Sequence, residues 1–97
     1  MSYSLVKITK SNKSGKKMMA VFKNKETGRE KTTHFGAAGM DDYTITKDKE
    51  QRTRYRQRHK KDLQTKDPTR AGYLSYYILW GESTSRQENI KKYKSRF

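Results

Sequence analysis

One of the two longest strictly apolar runs in this chain, Tyr76–Trp80, lies within a segment, Tyr73–Trp80, that is apolar on almost every side. The rest of the protein must cover such a segment, which is far shorter than the roughly 20 residues a membrane-spanning helix needs. It is therefore read as a core helix on which other elements pack. Asp67 before Pro68 has the form of its N-cap and first-turn proline, and Gly81 the form of its stop. Only 30% of the 97 residues are hydrophobic, but seven Tyr, three Phe and one Trp are among them. Each can bury a large area, so the composition allows a modest core and one small basic domain over residues 1–97.

The cover comes first from strands. Tyr3–Thr9 and Met18–Phe22 are β-prone runs separated by a turn sequence at 11–15, and a second turn at 25–28 leads into a third run, Arg29–Phe35. The pattern predicts an α+β protein: a three-stranded antiparallel sheet over 1–36, a loop over 37–46, and a helical part of about three helices over 47–97. Asp48 and Glu50 near the start of 47–61, with Lys60 and Lys61 near its end, suit the dipole of a helix. On that helix Tyr55, His59 and Leu63 form one narrow stripe, flanked by Arg52 and Arg56 on one side and by Arg54 and Arg58 on the other. A strand is the competing reading of the alternating arginines, and the scarcity of β-branched residues favours helix. Ser85 and Glu88 have capping-box spacing for a last helix whose apolar face is Ile90, Tyr93 and Phe97.

Charge then limits the partners. Twenty-four Lys and Arg against ten Asp and Glu give a formal net charge of +14, spread along the chain rather than held in a tail. An anionic partner relieves that self-repulsion and speeds encounter. Arg52, Arg54, Arg56 and Arg58 present planar guanidinium groups able to fork onto phosphate oxygens, and Lys60 and Lys61 continue the run. Lys13, Lys16 and Lys17 around the first turn offer a second contact. These nine are the candidate nucleic-acid-binding residues, and the four arginines are expected to be surface groups whose loss leaves the fold largely intact.

Catalytic and metal chemistry finds little support. The chain has no cysteine, which excludes disulfides, thiolate zinc sites and cysteine nucleophiles and fits a reducing compartment. His34 and His59 are the two histidines, too few for an evident zinc set, so no metal and no cofactor is expected. His34 reads as a packing or hydrogen-bonding residue at a strand end, and His59 as part of the helix stripe or a phosphate contact. Asp41 and Asp42 could hold Mg²⁺ in a nuclease but read better as turn residues. Gly36 and Gly39 lack the Gly-Lys-Ser/Thr of a phosphate loop and are read as backbone freedom where sheet gives way to helices. Tyr73, Tyr76, Tyr77 and Trp80 read as core rather than base-stacking platforms, with Tyr55, alone among arginines, the exception. Met1–Lys10 lacks the apolar stretch of a secretory signal.

Several separate short motifs follow one another along the chain: His34-Phe-Gly36, Gly39, Asp42-Tyr-Thr44, Lys47-Asp48, Arg58-His59, Leu74-Ser75, Ile78-Leu-Trp80 and Tyr93-Lys94 through Phe97. Over roughly Lys16 to Phe97 their order and spacing resemble a family of small basic proteins from large nucleocytoplasmic DNA viruses, including mimivirus relatives and algal viruses. That family supplies no catalytic residues to transfer. The resemblance implies a viral origin, a place in the virion interior and the viral factory of the host cytoplasm, and a role in binding or condensing the viral genome. The combined reading is a non-enzymatic, sequence-tolerant DNA-binding protein whose main partner is duplex DNA, with no membrane partner and with homo-oligomerisation through edge strands as an added feature. A structural virion protein that cements an acidic capsid surface is the alternative, and a metal-dependent nuclease the third reading.

Overall fold

The structure, a computed structural model, describes residues 3–96. The chain forms an α+β fold in which an antiparallel meander, β1 (Tyr3–Lys10), β2 (Lys16–Asn24) and β3 (Glu30–Ala37), precedes four helices. β2 is central, and a bulge between Leu5 and Lys7 shifts the register of β1 against it. The second turn is closed by Asn24, whose side chain accepts hydrogen bonds from the backbone of Glu26 at 2.8 Å and Thr27 at 3.1 Å. Met18, Ala20 and Phe22 of β2, with Phe35 of β3, form the buried inner face and pack on Leu74, Ile78, Leu79, Trp80, Ile90 and Tyr93.

The segment 37–46, expected to be loop, contains a one-turn helix, α1 (Tyr43–Thr46). Asp42 caps it by accepting from the backbone N–H of Thr44 at 2.8 Å, and the turn drives Tyr43 into the core. Gly36 leads into this region with φ +79°, and a Cβ there would come within 2.6 Å of Leu79 Cδ1. Glycine is needed at that position both for its backbone and for its lack of a side chain.

The alternating arginines form a helix, α2 (Lys49–His59). Asp48 caps it, accepting from Glu50 N at 3.0 Å and Gln51 N at 3.2 Å, so the helix starts two residues after Lys47. The chain then tightens into a 3₁₀ segment, Lys60–Thr65.

The core helix begins later than its proline predicts. Asp67 accepts from Thr69 N at 3.0 Å and Thr69 Oγ1 at 2.6 Å, and Arg70 N donates to Asp67 O at 3.2 Å. Asp67–Arg70 is thus a self-contained turn, and α3 starts at Ala71. After Leu74 the helix widens into a π turn, Ser75–Leu79, closed by Trp80 N donating to Ser75 O at 3.0 Å. It stops at Gly81, where a Cβ would lie 2.1 Å from Tyr77 O and 2.9 Å from Asn89 Cγ. Asn89, buried on α4 (Arg86–Arg96), is held in that second position by its amide, which donates to Ile78 O at 2.9 Å and Ser83 O at 2.7 Å and accepts from Ser83 N at 3.1 Å.

The capping box on α4 is half direct. Glu88 N donates to Ser85 Oγ at 3.3 Å, but the return arm runs through Ser83, whose hydroxyl donates to Glu88 Oε2 at 3.1 Å and accepts from Ser85 N at 3.0 Å. Ile90 and Tyr93 of the predicted apolar face are buried, and Phe97 lies outside the described residues. Among the described residues no helix is long and apolar enough to cross a membrane.

Candidate nucleic-acid interface

The position of α2 is set by its aromatic stripe. Tyr55 stacks on Trp80 with ring centroids 4.2 Å apart and planes 8° from parallel, and His59 stacks on Tyr55 at 4.1 Å. Tyr55 is therefore not the exposed platform its arginine neighbours suggest. It continues the core outward from Trp80, which is buried at 7% exposure. His59 joins the stripe and also meets Asp62, with Nδ1 and Oδ2 3.2 Å apart. His34, as expected, makes a hydrogen-bonded contact, its Nδ1 2.7 Å from Ser11 Oγ.

This stack turns one arginine flank inward. Arg56 donates from one terminal nitrogen to Trp80 O at 2.7 Å and Tyr76 O at 3.2 Å, and its guanidinium lies 4.0 Å from the Tyr76 ring centroid. Arg52 Nε donates to Gly81 O at 2.6 Å, with its guanidinium 5.5 Å from the Tyr43 ring. A helix leaves its last carbonyls without intrahelical donors, and a cation there also suits the dipole. Arg52 and Arg56 serve as that donor set for the core helix, so these two candidate phosphate ligands are occupied in holding the fold.

Lys17 is likewise engaged. Its ammonium group bonds Asp42 Oδ2 at 2.6 Å and the carbonyl of Met40, and its side chain is 10% exposed. Arg86 approaches the same carboxylate at 3.2 Å and donates to Thr44 Oγ1 at 2.9 Å. Asp42, 1% exposed, is more than the turn residue the sequence offers, because it joins β2, α1 and α4 through one buried carboxylate. Burial opposes its ionisation, but hydrogen bonds from Lys17 and Thr44 and the charges of Lys17 and Arg86 together hold its carboxyl below the usual range. Among the described residues no group of three or more His, Asp or Glu could hold a metal ion.

The remaining candidates face solvent: Arg54 and Arg58 on the other flank of α2, Lys60 and Lys61 in the 3₁₀ segment, and Lys13 and Lys16 at the first turn. Arg54 is 4.0 Å from Glu50, an exposed pair of small energetic consequence. Arg58 and Lys16 line the same open groove of about 660 Å³, whose wall includes Phe35 and Leu79, so the helix cluster and the turn cluster meet there. Sequence reasoning missed Lys31 and Arg70, which line an adjoining groove of similar size. Lys31 donates to Thr69 Oγ1 at 3.0 Å, a contact between β3 and the turn before α3 that no local pattern announces.

A protein-family model described as a family of unknown function, DUF5754, matches residues 6–59, from β1 to the end of α2. No curated protein and no solved structure matches the chain.

Proposed function

The chain belongs to DUF5754, a family of unknown function, and we propose, from its charge and its exposed cations, that it is a non-enzymatic protein that binds duplex DNA through its phosphates, without strong sequence preference, and helps compact a viral genome. The observation that carries this reading is the division of its charges. Asp42, Asp48 and Asp67 spend their oxygens on caps, turns and internal cations. Arg58, Lys60, Lys61, Lys13 and Lys16 stand exposed and make no ion pair among the described residues. These exposed cations, part of a net excess of +14, are open to a polyanion. Duplex is favoured over single strand because Tyr73, Tyr76 and Trp80 are buried, leaving no row of exposed rings among the described residues for bases to stack on. The viral setting, with the protein in the virion interior, rests on the motif resemblance alone.

A gel shift across salt concentrations, with unrelated duplexes, single-stranded DNA and RNA compared, tests the reading. Engaging about six phosphates gives a slope of log affinity against log salt near about −5. A complex indifferent to salt, or confined to one short sequence, overturns it. Retention on virion protein surfaces after nuclease treatment would instead support the cement role.

A further inference from the structure

The sheet carries a second cationic surface, on the side away from the helices. Side chains alternate across a strand, and Met18, Ala20 and Phe22 of β2 take the inner face. The cross-strand rows Ser4–Lys23–Glu30, Lys7–Val21–Thr32 and Thr9–Met19–His34 therefore lie on the outer face. Lys7 and Lys23 are exposed there, as are Thr9 and Thr32, whose hydroxyls can donate to phosphate oxygens. Lys25 and Arg29, also exposed, extend the face at the β2–β3 turn, and Glu26 and Glu30 are the acids of the sheet region. The exposed flank of α2 belongs to the other side of the sheet, because Arg58 lines a groove walled by Phe35 of the inner face and by Leu79. Two surfaces on opposite sides of the sheet cannot both lie against one straight duplex.

We propose that the outer face of the sheet, centred on Lys7 and Lys23 and extended by Lys25 and Arg29, is a second phosphate-binding surface that takes a second DNA duplex, so that one molecule cross-links two duplexes. The inference rests on the DNA-binding reading above and supplies the step it lacks: neutralising one duplex coats it, whereas joining two condenses them. The arrangement also removes any need for a protein dimer in bridging.

The test is a capture assay in which the full chain, bound to a duplex on beads, recruits a second, fluorescent duplex of unrelated sequence. Gel shift on a single duplex runs in parallel. The variant carrying K7Q, K23Q, K25Q and R29Q is expected to lose about tenfold in capture while its affinity for one duplex falls less than about threefold, because the phosphate contacts it gives up are those of the second duplex. A companion variant with K7R, K23R, K25R and R29K keeps the charges and is expected to capture like the wild type, which separates loss of charge from damage to the fold. Capture that persists in the Gln variant, through a dimer or otherwise, overturns the inference. So does a wild-type protein that shifts one duplex and recruits no second, a result that leaves the DNA-binding reading standing. If the wild type shifts no duplex at all, both fall.

Discussion

On one flank of α2, Arg52 and Arg56 donate to the carbonyls of Tyr76, Trp80 and Gly81; on the other, Arg54 and Arg58 extend into solvent. The residues are identical, the spacing is identical, and all four lie within two turns of one helix. The difference is what accepts them. The inner flank faces the end of the core helix, where carbonyls without helical partners are expensive to leave unpaired in a partly dry setting. The outer flank meets water, which solvates a guanidinium well and leaves it available to a competing anion. Net charge therefore overstates the cations open to a partner: Lys17 and Arg86, spent on Asp42, belong with the inner pair.

The largest expected effect comes from removing the ring that sets the rotation of α2. Trp80→Ala deletes the surface on which Tyr55 stacks and should cost about 3–5 kcal/mol, enough to unfold a marginal small domain. Urea denaturation measures it. The free protein should show blue-shifted Trp emission and little quenching by single-stranded DNA. Water-like emission with strong quenching would instead put Trp80 on the binding surface and dissolve the contrast between the flanks.

Next in size is the direct comparison. Arg56→Gln should cost about 2–4 kcal/mol, since hydrogen bonds from a charged group are removed and acceptors are left wanting. Arg54→Gln should fall within about 0.5 kcal/mol of wild type. Equal costs would break the comparison. Changing Arg52, Arg54, Arg56 and Arg58 together is accordingly expected to unfold the chain, contrary to what their spacing alone suggests, and cannot serve as a clean binding-deficient variant.

Much of this was legible in sequence because it is local. The meander, the helix over the arginines, the core role of Tyr73–Trp80 and even the two arginine flanks follow from periodicities of two and 3.6 residues. What escaped depends on distant partners. Whether Arg56 meets water or Trp80 O is decided by a residue 24 positions away, and the Asp42 hub joins residues separated by 25 and 44 positions. The late start of α3 escaped for a different reason: Asp67 satisfied its capping chemistry on Thr69 without opening a helix. Where the exposed candidates lie relative to one another, and the meeting of Lys16 with Arg58 in one groove, likewise belong to tertiary structure.

Asp42 offers a third, smaller effect with a defined pH dependence. Its carboxyl is held below the ordinary value of 3.8 in the folded protein, so the stability it adds is present above that value and is lost as pH falls through its folded pKa. Asp42→Asn should be less stable than wild type near neutrality, with the gap narrowing as urea titrations are repeated below about pH 4. Because Asp67 is also held low, the difference between wild type and variant, rather than the wild-type curve alone, isolates Asp42. A gap that stays constant from pH 7 to strongly acid solution would mean that the cluster acts by packing rather than by charge.

The smallest change in stability is expected where the change in DNA affinity is clearest. Arg54→Gln with Arg58→Gln removes the exposed flank and touches neither the Trp80 stack nor the carbonyls of the core helix. Denaturation midpoints should stay near wild type, since such exposed charges contribute little to folding. If both arginines bind phosphate, the slope of log affinity against log salt should become shallower by about 2, close to one unit for each phosphate released, with the weakening similar across unrelated duplex sequences. Arg58 sits at the groove shared with Lys16, so Lys16→Gln added to the pair should flatten the slope further. An unchanged slope, with folding intact, would show that duplex does not lie on this flank and would move the primary interface to the outer face of the sheet.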